Sequence, residues 1–203
     1  MMNSDTKDNG GLKYIVAIGA STGGPKCLQS VLSAMRGNVP AAFVVTQHMP
    51  KGFTKSFAAR LDGVSGLTVK EAEDNEPVKA GHAYIAPGDC HMGFEKTGGM
   101  IKIRLLKTPP VGGHRPSIDV MMKSLAGTGF KNIIGVILTG MGRDGSEGIK
   151  AIKGCGGGYI IVQDKKTCVA DGMPGSAIAT GAADAVLPLG DIANEILKII
   201  GGV

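Results

Sequence analysis

Three short stretches carry residues able to do chemistry, and each follows an apolar run. Ser21 stands in "GASTGGP", just past the end of "YIVAIG" at Gly19. His48 stands in "TQHMPKGF", directly after "AAFVVTQ", and Asp144 in "TGMGRDGSEG", after "NIIGVILTG". A serine hydroxyl becomes a good nucleophile when a base takes its proton, and imidazole titrates near neutral pH. A carboxylate can then hold that imidazole in one tautomer and stabilise its cation. Serine, histidine and aspartate in those roles make an acyl-transfer site.

Each residue also has a plainer reading. "GASTG" fits G-x-S-x-G, the strand-turn-helix elbow that exposes a serine above a sheet. A Gly-rich turn of this kind can equally cradle a phosphate or close a tight turn. No G-K-[ST] follows it and no G-x-G-x-x-G is present, which excludes a Walker loop and the dinucleotide fingerprint. His48 alone reads as a turn or surface residue, and its interest comes from sharing an edge with Ser21. Of the other histidines, His82 precedes its strand, His91 falls in an expected antiparallel insertion, and His114 lies in a loop. Asp144 with Glu147 resembles a capping box, and a cap and an imidazole compete for the same oxygens. Asn caps about as well as Asp, so Asp144→Asn is expected to melt near wild type while losing turnover.

The elements that must position these residues follow from periodicity. "YIVAIG" is a buried strand and "PKCLQSVLSAM" a helix, with Pro25 suited to its first turn and Cys27, Leu28, Val31, Leu32 and Met35 as its apolar stripe. "AAFVVTQ" is a second strand and "GFTKSFAARL" a second helix. "TVKEAE", "HAYIAPG", "CHMGFEK" and "MIKIRLL" are short strands, the last two joined by the hairpin signal "KTGG". "PSIDVMMKSLAG" is a helix capped by Ser117. Strand "NIIGVILTG", ending at Thr139, helix "DGSEGIKAIKG", strand "GYIIVQD", helix "MPGSAIATG", strand "AADAVLPL" and helix "DIANEILKII" complete the chain. The expected fold is α/β, doubly wound, a mostly parallel sheet with helices on both faces and a small antiparallel hairpin insertion. Residues 1–12 are expected to be a flexible leader or linker remnant, and 13–203 one catalytic domain. Functional crevices of such sheets lie beyond the carboxyl ends of the strands, where Ser21, His48 and Asp144 all fall. Their chain order differs from the Ser…Asp/Glu…His of common α/β-hydrolases, but a triad is defined by geometry rather than order.

Composition narrows the function classes. The 203 residues are 43% hydrophobic, enough for one well-cored domain. No apolar run approaches the ~20 residues of a membrane span, and the polar start "MMNSDTKDNGGLK" is not a signal peptide. Cys27, Cys90, Cys155 and Cys168 have no paired short spacing, which argues against a zinc knuckle or a disulfide framework and for reduced thiols in the cytoplasm. The net charge of +5 comes without a long Lys/Arg block, and aromatics are only 4%, so a nucleic-acid surface is not expected. The positive field suits an acidic protein partner, and it equally suits a merely soluble surface. No cofactor or metal is called for.

"IGASTGGP", "TQHMPKGF", "VKEAEDNEPVKAGHAYIAPGDCHM", "HRPSIDVMM" and "GVILTGMGRDGSEG" together resemble the catalytic domain of the CheB family, the protein-glutamate methylesterases of bacterial chemotaxis. The resemblance runs from about Tyr14 to the C-terminus. It implies hydrolysis of glutamate γ-methyl esters on chemoreceptor cytoplasmic helices with release of methanol, and deamidation of receptor glutamines. It implies Ser21 as nucleophile, His48 as base and Asp144 as its orienting carboxylate. It also implies an oxyanion hole using the Met141 backbone N–H, with Thr22 lining the site. Family members usually carry an N-terminal receiver domain that covers the site until phosphorylated. Only a short polar leader precedes Lys13, so the expectation is a stand-alone esterase domain or an excised piece, open and insensitive to phosphodonors, with a separate receiver domain as a candidate partner. Two rivals use the same residues: a serine hydrolase of small esters, and a phosphate-binding regulatory module with "GASTGG" and "GMGRDG" as anion nests.

Overall fold

A computed structural model describes residues 11–201; residues 1–10 of the expected leader lie outside them. Leu12 is already buried against the core, and the Lys13 amide bonds to the Pro40 carbonyl at 2.8 Å, so packed chain begins before residue 13.

The long apolar runs become central strands because both of their faces are covered. β1 (Tyr14–Ala20) and β2 (Ala41–Gln47) lie side by side and parallel, β2 with every residue buried. A parallel sheet flanked by helices demands such two-sided runs. With β3 (Thr68–Glu71), β4 (His82–Ile85), β7 (Ile133–Ile137), β8 (Tyr159–Gln163) and β9 (Ala185–Leu187) they form one seven-stranded sheet in the order β3-β4-β2-β1-β7-β8-β9. All its pairings are parallel. β5 (His91–Thr97) and β6 (Met100–Leu106) form a separate antiparallel pair. Of the four short strands expected in the middle of the chain, two thus extend the parallel sheet at its edge, and the hairpin insertion is β5–β6 alone.

Helices cover both faces. α1 (Gly24–Ser33), α2 (Thr54–Asp62) and α6 (Leu189–Ile200) pack one side, where Val16 and Ile18 meet Leu28, Leu32, Ile192 and Ile196. α3 (Ile118–Gly127), α4 (Ser146–Gly154) and α5 (Gly172–Ala179) cover the other, where Ile15 and Ala17 meet Met121, Met122, Ile149 and Ile152. The hairpin lies against α3, its Phe94 amide donating to Ser124 Oγ at 2.7 Å. Each such aliphatic side chain, fully buried, contributes ~1.5–3 kcal/mol, so the frame under the strand ends is rigid. Among the described residues no helix is long and apolar enough to cross a membrane.

Two boundaries differ from expectation in ways that matter to the site. The strand expected to reach Thr139 ends at Ile137, because the Thr139 amide leaves the ladder and donates to the buried Gln163 Oε1 at 2.9 Å. The helix expected from Asp144 begins at Ser146 with Gly145 as its N-cap, which frees Asp144 from the helix it precedes.

Candidate active site

The strand order reverses at β1, with β2 on one side and β7 on the other. Gly19 pairs with both Thr46 and Ile137, so the three strands end level. Past the strand ends, the ladder continues on each side. The His48 amide donates to the Ala20 carbonyl at 3.1 Å, and the Ser21 amide to the Thr139 carbonyl at 3.0 Å. The Ser21 carbonyl closes a turn with the Gly24 amide at 2.8 Å, where Gly23 takes φ 82°, a left-handed conformation natural to glycine. Buried Gln47 then straps the two loops together, its Nε2 donating to the carbonyls of Ser21 at 3.0 Å and His48 at 3.1 Å. The serine is therefore set by main-chain bonds, and only its hydroxyl is free to react.

That hydroxyl lies 3.1 Å from His48 Nδ1. His48 Nε2 lies 2.8 Å from Asp144 Oδ2. The His48 and Asp144 side chains are only 9% and 7% exposed, so water competes weakly for either bond. The neutral tautomer that satisfies both neighbours carries its proton on Nε2, donates it to Asp144, and accepts from Ser21 on Nδ1. The two ring nitrogens thus serve in the opposite sense from the chymotrypsin-type arrangement, in which Nε2 faces the serine.

Asp144 accepts four bonds. Oδ2 takes the His48 ring and the Ile118 amide at 2.7 Å, while Oδ1 takes the Ser117 hydroxyl and the Asp119 amide, both at 2.9 Å. Burial by itself would raise its pKa, but the bonds from His48 and from the Asp119 and Ile118 amides outweigh that and hold it below the usual carboxylate value. The capping-box reading with Glu147 is not what forms, since no side chain caps α4 at its own N-cap. Asp144 instead binds the first amides of α3. Asp119, in the first turn of α3, accepts from the Gly145 and Gly148 amides at the start of α4, at 2.9 and 2.7 Å.

Of the two residues expected to line the site, Thr22 follows Ser21 and is exposed, and Met141 is 67% exposed. Among the described residues, neither of their backbone amides donates to a protein oxygen, so both remain available to an incoming oxyanion. His82 and His91 stay out of the site. His82 Nδ1 bonds to the Ala80 carbonyl. His91 is fully buried, with Nε2 on the Pro109 carbonyl and Nδ1 accepting from the Ser117 amide, both at 3.1 Å. His114 is brought in: its ring stacks on His48. It also lines two clefts, one of about 460 Å³ with Asp119, Arg143 and Asp144, the other of about 270 Å³ with His48, Pro50 and Arg115.

Comparison with known proteins gives the family and the fold. The family model described as CheB methylesterase matches residues 16–196. The chain belongs to the CheB methylesterase family. A curated relative from Geobacillus kaustophilus, named protein-glutamate methylesterase/protein-glutamine glutaminase, is 48% identical over 92% of this chain and 54% of its own length. A Pseudomonas aeruginosa relative, carrying the same name with the suffix 2, is 48% identical over 91% of this chain and 52% of its own. The chain spans about half the length of the curated relatives it matches. The crystal structure of the Thermotoga maritima CheB methylesterase catalytic domain superposes with a TM-score of 0.87 at 48% identity, covering 94% of this chain and 98% of that one.

Several residues of the site carry structure that local sequence does not reveal. In the sequence Gln47 and Thr139 stand only at the ends of apolar runs, and Asp119 only within a helical stretch. Thr139 Oγ1 accepts from the Val169 and Ala170 amides at 3.1 and 3.0 Å and donates to the Thr22 carbonyl at 2.9 Å, binding the β8 loop to the serine turn. A buried polar side chain at a strand's carboxyl end is the signal that could have found Gln47 and Thr139. Ser117 was expected as a cap and does accept from the Val120 amide, but its second bond, to Asp144, depends on tertiary packing alone.

Proposed function

We propose that this chain is a serine esterase that hydrolyses glutamate γ-methyl esters on the cytoplasmic helices of chemoreceptors, releasing methanol, and that it deamidates receptor glutamines by the same route. The observation that carries the proposal is the unbroken line from Ser21 Oγ through His48 to Asp144, at 3.1 and 2.8 Å. The ester and amide groups attacked follow the names of the relatives, and the chemoreceptor follows from the resemblance to the chemotaxis family.

In this mechanism Ser21 Oγ attacks the ester carbonyl while His48 Nδ1 takes its proton. Asp144, held ionised by the bonds it accepts, stabilises the imidazolium through Nε2–H. The oxyanion of the tetrahedral intermediate accepts from the Met141 and Thr22 amides. His48 returns the proton to the departing methoxide, methanol leaves, and an acyl-Ser21 ester remains. Water then attacks with His48 again as base, releasing the glutamate carboxylate and restoring the serine. With glutamine as substrate, the leaving group is ammonia.

Exposed Met141 and Val169 border the serine turn and suit the apolar face of a helical substrate, and the net positive charge suits an acidic one. A receiver domain docking over the same cleft is a candidate partner, in keeping with the relatives' greater length. An active-site-directed fluorophosphonate tests the enzyme reading. The proposal expects a single adduct on Ser21, formed slowly or not at all in His48→Gln. Absence of labelling, together with phosphate-dependent stabilisation, would favour the regulatory-module reading.

A further inference from the structure

His114 lies flat on His48. The ring centroids are 3.8 Å apart and the planes differ by 11°. The His48 ring is tied at Nδ1 to Ser21 and at Nε2 to Asp144. Both bonds act at the edge of the ring, in its plane, and neither braces its face against out-of-plane tipping. A flat body against its face removes that freedom, and among the described residues His114 is the aromatic ring in stacking contact with His48.

The position of His114 is built rather than incidental. Its backbone forms a closed pair of bonds with Val111, each 3.0 Å. The neighbouring Arg115 binds the Asp89 carboxylate and the Thr108 carbonyl. The ring nitrogens of His114, unlike those of the other three histidines, bond to no protein group among the described residues, so the ring is not there to serve another hydrogen bond. Burial and the neighbouring His48 depress its pKa, with Asp144 opposing, which favours the neutral ring. The other charged groups on the two clefts it lines are Arg115, Asp119, Arg143 and Glu147.

We propose that His114 is a positioning residue for ester hydrolysis: its ring, stacked on His48, stops the imidazole from tipping and keeps Nδ1 aimed at the Ser21 hydroxyl. The proposal rests on the reading of His48 as general base. It predicts an effect on the chemical step and none on substrate binding.

Two variants test it. His114→Phe keeps a flat ring without nitrogens, and His114→Ala removes the ring. Steady-state hydrolysis of a methylated receptor fragment should show kcat falling about tenfold or more in His114→Ala with KM little changed, as small misplacements of a reacting group do. His114→Phe should recover most of that loss. The NMR resonance of the His48 Cε1 proton should carry a ring-current shift in the wild type and in His114→Phe, and lose it in His114→Ala. An unchanged kcat in His114→Ala, a change in KM alone, or a Phe variant as impaired as the Ala variant would overturn the proposal. Failure of the base reading is separately visible: His48→Gln would then keep its turnover, whatever the His114 variants do.

Discussion

Asp144 and Asp119 each hold the start of the other's helix. Asp144 stands just before α4 but accepts from the Ile118 and Asp119 amides that open α3, and Asp119 in α3 accepts from the Gly145 and Gly148 amides that open α4. Helix N-termini present unpaired amides and a partial positive charge, so the exchange satisfies both and fastens α3 to α4. It also makes the carboxylate that faces His48 a structural member of the fold.

Asp144→Asn should therefore lose both activity and stability. Both oxygens of Asp144 accept bonds, and an amide NH₂ in place of either would face a donor. We expect kcat to fall by up to about 10⁴-fold and stability by about 1–3 kcal/mol, read from kinetics and a thermal or urea melt. This corrects the expectation from capping propensity, in which Asn would melt like Asp. Asp144 has a depressed pKa in the fold, so its contribution to stability is present above the ordinary carboxylate range and is lost as pH falls through the lowered value. The variant should lack that acid-side dependence.

Asp119→Asn should behave differently. Asp119 uses one oxygen, Oδ1, for both amides, and an Asn carbonyl can replace it. Burial, with the nearby Asp144 charge adding to it, raises the Asp119 pKa despite the bonds from Gly148 and Gly145. A carboxyl with a raised folded-state pKa costs stability when ionised, and the cost is relieved as pH falls through that value. The variant should match or exceed wild-type stability at neutral pH, with the wild type gaining relative to it on acidification. A variant clearly less stable than wild type at pH 7 would contradict the single-oxygen geometry.

The histidines should separate by phenotype. His48→Gln should abolish turnover with little effect on the melt. His91→Leu should do the reverse, lowering stability by about 1–3 kcal/mol because the buried Ser117 amide loses its acceptor. His82→Gln should change neither. Assaying and melting each variant in parallel checks all three.

Gly140→Ala tests how tightly the serine is set. A Cβ there would sit 2.8 Å from Ser21 Cβ and press on Met173 Sδ. The methionine can give way, but the serine turn is tied on both sides. We expect kcat to fall about 10²-fold, the scale of an ångström-sized misplacement, with a smaller effect on KM.

Much of the fold was legible because parallel strands covered on both faces must be continuous apolar runs, and "AAFVVTQ" forms a strand over its full length. The serine and histidine were legible for the same reason, since each follows such a run. The placement of β3 and β4 in the main sheet was not, because four-residue strands carry no signal of which neighbour they pair with. The exchange between Asp119 and Asp144 was also hidden: local spacing offers Glu147 as Asp144's companion, and only the packing of α3 against α4 brings Asp119 there. His114 in "VGGHRP" carries no periodicity, and a loop's closure on a distant strand end cannot be read from its own residues.

Methanol release from a methylated chemoreceptor cytoplasmic fragment decides whether Ser21 hydrolyses glutamate methyl esters. The wild-type chain should release methanol with turnover, and Ser21→Ala should lose at least about 10³-fold while melting like the wild type, since the Ser21 backbone bonds do not involve the hydroxyl. No methanol from the wild type would rule out the esterase, and near-normal release from a well-folded Ser21→Ala would rule out Ser21 as its nucleophile.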